Sequence, residues 1–111
     1  MQMFSHGECN FFELSELPKN LKKVEIKENF FVVGESETHG NDHRVAVLDK
    51  ENVQFFRDKL ERLYLKADVT TEIYCPKEAR HDKVIINPGI YEINKAMEVD
   101  PLTQRLRQVA D

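Results

Sequence analysis

The chain reads as a mainly β protein, folded as a single small barrel or sandwich in which a jelly-roll-like form fits. Three observations predict this. Short runs of β-branched and aromatic residues recur at near-regular spacing, turn formers separate them, and no linker or repeat divides residues 1–111. One stretch leaves room for a short helix, within 51–66.

Residues 1–7 carry His6-Gly7, which read as an entry turn. Phe11, Phe12 and Leu14 mark a first strand over 9–14, closed by Leu17-Pro18-Lys19-Asn20. Pro18 biases Leu17 away from helix. Lys23-Val24-Glu25-Ile26-Lys27 alternates with period two, the pattern of a strand with one wet face. Phe30-Phe31-Val32-Val33 is apolar on both faces, which predicts a central strand over 30–35, buried from two sides. Val45-Ala46-Val47-Leu48 is the next strand.

Residues 53–67 carry two competing signals. Val53, Phe56, Leu60, Leu63, Tyr64 and Ala67 fall at helical spacing among good helix formers. Val53-Gln54-Phe55 and the run 62–67 also fit a hairpin hinged at Asp58-Lys59. Val69-Thr70-Thr71-Glu72-Ile73-Tyr74 is a clear strand, ended by Pro76. Val84-Ile85-Ile86 and Ile90-Tyr91-Glu92-Ile93 are strands around the turn Asn87-Pro88-Gly89. In that turn Gly89 is expected to supply positive φ, and Tyr91 to pack a strand face. A further strand is expected at 97–99, then a strand or short helix over 102–109.

The 111 residues suffice for one core without disulfide or metal staples. A net charge of −4 and a pI of about 5.6 argue against nucleic acid as a direct ligand. They fit a binder of proteins, small molecules, metals or cationic groups. Cys9 and Cys75 lack Cys-x-x-Cys spacing and read as buried, inert thiols in a reducing compartment. No apolar run approaches the roughly 18 residues of a membrane helix, so a cytoplasmic protein with no membrane partner is expected.

Chemistry is expected on the stretch 34–43, held between two apolar runs. It carries Glu35, Glu37, His39, Asn41 and His43, and His81 lies in a second polar loop. Loops converge at the ends of barrels and sandwiches. His39, His43 and His81, with a carboxylate, are therefore candidate ligands for a divalent ion: Zn, Mn, Fe or Ni. Tyr91 is a further candidate ligand contact. A glutamate beside a histidine would also form a proton-transfer pair. The plainer account makes Ser36, Thr38, Asn41 and Asp42 turn residues with local backbone bonds. No nucleophile elbow, phosphate loop or zinc-finger spacing occurs.

Motifs spread along nearly the whole chain resemble a family of small proteins from bacteria and their phages. They are Gly7-Glu8, Leu17-Pro18, Gly34-Glu35 with Gly40 and His43, His81, Pro88-Gly89-Ile90-Tyr91, Glu98-Val99-Asp100-Pro101 and Arg107-Gln108-Val109-Ala110-Asp111. The resemblance implies a hairpin at 53–67 and brings no established activity. Where the family has Gly-His-x-His, this chain has Asn41 in place of the first histidine, with His39 before Gly40. A ligand carried there by relatives is lost or moved. The histidines are faintly similar to those of cupin barrels, without the glutamate and glycine registry that follows them.

These readings lead to a non-enzymatic binding or modulator module, of a kind phages encode as host-factor inhibitors, contacting a protein or small ligand. The alternative is a cupin-like metal-binding protein or metal-dependent enzyme built on the histidine loops.

Overall fold

The computed structural model describes residues 3–6, 9–34, 42–75 and 83–95. The expected elements at 97–99 and 102–109 lie outside them. Among the described residues ten strands are formed: β1 (Met3–His6), β2 (Cys9–Leu14), β3 (Lys22–Lys23), β4 (Phe30–Gly34), β5 (His43–Ala46), β6 (Val53–Arg57), β7 (Leu63–Ala67), β8 (Thr71–Tyr74), β9 (Val84–Ile86) and β10 (Gly89–Lys95). They make a six-stranded sheet, β1-β2-β10-β7-β6-β3, and a four-stranded sheet, β4-β5-β8-β9. Every pairing is antiparallel. The fold is the all-β, sandwich-like one that the strand spacing predicts. No helix among the described residues is long and apolar enough to cross a membrane.

The core lies where the inward faces of the two sheets meet. Phe11, Phe55, Leu65 and Tyr91 from the larger sheet pack with Val33, Val45, Ile73 and Ile86 from the smaller. Phe31 of β4 stacks on Phe55 of β6 with ring centroids 4.4 Å apart, tying one sheet to the other. Phe4 stacks on Phe11 at 4.7 Å, and the edge of Tyr91 closes the group at 5.7 Å from Phe4.

Residues 53–67 form the hairpin β6–β7, paired from Val53↔Ala67 to Arg57↔Leu63. The helical spacing is misleading because it counts Leu60, which is 64% exposed. Val53, Phe55, Leu63, Leu65 and Ala67 carry the buried face with period two. Asp58 closes the turn. Its carboxylate accepts from the Leu60 and Arg62 amides, both at 2.9 Å, from Arg62 Nε at 2.7 Å and from the Tyr64 hydroxyl at 3.0 Å. Glu61 takes φ of 64°, the left-handed step that turns the chain back.

Four expectations are corrected. His6, read as the start of an entry turn His6-Gly7-Glu8, instead ends the strand β1, an edge strand among the described residues. The alternating run 23–27 contributes only Lys22–Lys23 as strand, although the Val24 amide still donates to the Phe55 carbonyl at 2.8 Å. Of the run 30–35, Phe30–Gly34 forms β4, which among the described residues is an edge strand rather than a central one. Its outer apolar residue, Phe30, is covered instead by the Arg44 guanidinium 4.1 Å above its ring. Gly89 does not adopt positive φ. Space is tight there instead, since a Cβ would lie 3.3 Å from both Glu13 Oε2 and the Tyr91 hydroxyl oxygen.

Burial pushes the Asp58 carboxyl up, but hydrogen bonds from Arg62, Tyr64 and Leu60 outweigh it and hold the group at about 2 instead of 3.8. A depressed folded-state value favours folding above pH 3.8, and that contribution is lost as pH falls toward 2. Asp58→Ala should cost about 1–3 kcal/mol at neutral pH. In a urea-unfolding series, the variant should lose less stability than the wild type between those two pH values. Burial, then the Asp58 bond, pushes the Tyr64 phenol up to about 12. Phe11→Ala removes a fully buried ring and should cost about 3–5 kcal/mol by the same measurement.

Candidate metal centre

At one end of the sandwich three buried side chains meet: His6, His43 and Cys75. His6 is the last residue of β1 and belongs to the six-stranded sheet. His43 opens β5 in the four-stranded sheet, and Cys75 directly follows β8. The pairs Val45↔Ile73 and Arg44↔Tyr74, continued by one step, set His43 opposite Cys75. The cluster therefore bridges the two sheets.

Local sequence aims each residue inward. His43 is in phase with Val45, which is fully buried, and Cys75 is in phase with Ile73, also fully buried. His6 is two residues from Phe4, whose ring faces the core. Between Val32 and Gly34 the β4–β5 register shifts, so that Gly34 faces His43 across a β-bulge. Bulges bend a strand and re-aim neighbouring side chains, and they recur beside functional sites. Just outside, the Arg44 Nε donates to the Asp42 carboxylate at 2.8 Å.

Nδ1 of His6 lies 2.9 Å from Nδ1 of His43, and Cys75 Sγ lies 3.4 Å from that same His43 nitrogen. The three potential donor atoms all fall within 4.8 Å of one another. The two imidazole rings stand at 89°, with centroids 5.0 Å apart. His6 is 3% exposed, His43 4% and Cys75 9%. Two imidazoles and a thiol are expensive occupants of a sandwich interior unless polar partners satisfy them.

Zinc takes nitrogen at about 2.0–2.1 Å and sulfur at about 2.3 Å in tetrahedral sites, which puts donors about 3.3 Å (N···N) and about 3.6 Å (N···S) apart. The observed spacings of 2.9 and 3.4 Å are a few tenths shorter. The third pair, His6 with Cys75, lies within the 4.8 Å that encloses all three donors. The donor set also fits, since thiolate with imidazole suits zinc better than it suits Mn.

Of the residues singled out from sequence, the structure brings His43 into this cluster. Glu35, Glu37, His39, Asn41 and His81 lie outside the described residues, so the grouping of His39, His43 and His81 is not among the contacts seen. Tyr91 is fully buried, and its hydroxyl donates to the Asn87 carbonyl at 2.7 Å, which is the packing role expected of it. His6 and Cys75 were not among the candidates. A usable signal was nevertheless present: each is a ligand-type residue in phase with the core-facing positions of its strand. Cys9 and Cys75 are both buried thiols, not joined in a disulfide, and Cys9 faces His6 across the β1–β2 ladder.

Comparison of the chain with protein-family models, with curated proteins and with solved structures gave no match.

Proposed function

We propose that this protein is a metal-binding β domain, and that His6, His43 and Cys75 hold a thiophilic divalent ion, zinc foremost. One observation carries the reading: three buried ligand-type side chains from separate strands of the two sheets bring one donor atom each to within 4.8 Å of one another, with two of the contacts meeting at His43 Nδ1. A cation between the three atoms accepts a lone pair from each and serves them all.

The metal reading takes precedence over the modulator module, which rests on composition and charge rather than on an arrangement of side chains. It moves the proposed centre from the histidine loops to the strand ends, with His43 common to both. The motif resemblance to small bacterial and phage proteins adds no substrate.

Protein purified without a histidine tag should bind one zinc per chain and gain thermal stability on zinc addition. Cobalt in its place should give a thiolate-to-metal charge-transfer band. Cys75→Ser should abolish that band and weaken zinc binding by more than the roughly 10–100-fold that loss of an outer-shell partner costs. Substoichiometric zinc by elemental analysis, together with an unchanged melting temperature, would sink the proposal.

A further inference from the structure

We infer that the ion bound at this centre is what fastens the N-terminal strand β1 to the sandwich, so that zinc supply governs whether β1 is docked. The inference rests on the metal-binding reading above.

His43 and Cys75 reach the centre from neighbouring strands of one sheet and are held there by the β5–β8 ladder whether or not a metal is bound. His6 is different. It comes from β1, which among the described residues is an edge strand of the other sheet paired with β2 through four residue pairs from Met3↔Phe12 to His6↔Cys9. Met3 is 71% exposed, Ser5 is exposed, and Phe4 is partly buried, packed on Phe11 and Tyr91. A strand at the edge of the described sheet, with two of its four side chains exposed, belongs to the low-stability end of a fold, where local opening is easiest.

β2 does not depend on β1, because β10 pairs with it along its other edge from Leu14 to Cys9. Lifting β1 would leave a five-stranded sheet intact while uncovering the outer edge of β2 and the face of Phe11 on which Phe4 stacks. It would also withdraw one of the three ligands. Docking of β1 and occupancy of the metal are then linked, and each favours the other.

Amide hydrogen exchange on the full chain, with zinc and with a chelator, tests this. At free zinc about a hundred times its dissociation constant, exchange of the β1 amides that bond to β2, alternate residues along the strand, should slow by up to about a hundredfold. Amides of β7 and β10 that exchange through local opening should hardly change. His6→Ala should still bind cobalt through His43 and Cys75, more weakly and with the charge-transfer band retained, and should show no zinc-dependent protection of β1. Zinc that binds stoichiometrically without slowing β1 exchange overturns the docking role and leaves the metal centre standing. Failure to bind zinc at all overturns both.

Discussion

Every strand at the interface between the six-stranded and four-stranded sheets must commit one of its two faces to a shared apolar layer. Successive side chains point to opposite sides, so a residue reaches the interior only if it is in phase with that layer. The rule accounts for the buried alternation of Val53 and Phe55, of Leu63, Leu65 and Ala67, and of Tyr91 and Ile93. It accounts equally for the polar cluster. His43 and Cys75 are buried because they occupy the next in-phase positions beyond Val45 and Ile73, where the apolar layer ends.

A polar group at such a position carries a desolvation cost that an apolar residue would not. Two imidazoles and a thiol accept that cost together, at the one place where β1 of the larger sheet meets β5 and the end of β8. Their mutual contacts offset that cost, and an ion among the three would draw a lone pair from each. In this way the cost of burial, the geometry of convergence and the proposed ligand share a single cause.

At the hairpin turn Asp58 solves a comparable problem differently. One carboxylate gathers four donors from Leu60, Arg62 and Tyr64, and each lone pair it offers meets a proton. That satisfied network holds the β6–β7 turn in place and keeps the Asp58 carboxyl near 2. The contrast separates a polar group that shapes a turn from a cluster that brings donor atoms of two sheets together.

The strands at 9–14 and 84–86 are legible from local pattern alone, and so is the all-β class, because periodicity and turn chemistry act over a few residues. Periodicity alone favours a helix over 53–67, although Val53, Leu63 and Ala67 fit both spacings; burial of Phe55 and exposure of Leu60 decide for the hairpin. The edge position of β4 was hidden because Phe30 is shielded by a cation from β5 rather than by another sheet. Residue type drew attention to His43 but not to His6 or Cys75, which are 37 and 32 positions away from it. Their convergence is a property of strand order and of two sheets closing on each other. Sequence determined the alternation of inward and outward residues. Only tertiary packing decided which inward residues share one end, because side chains from separate sheets acquire a common address when those sheets stack.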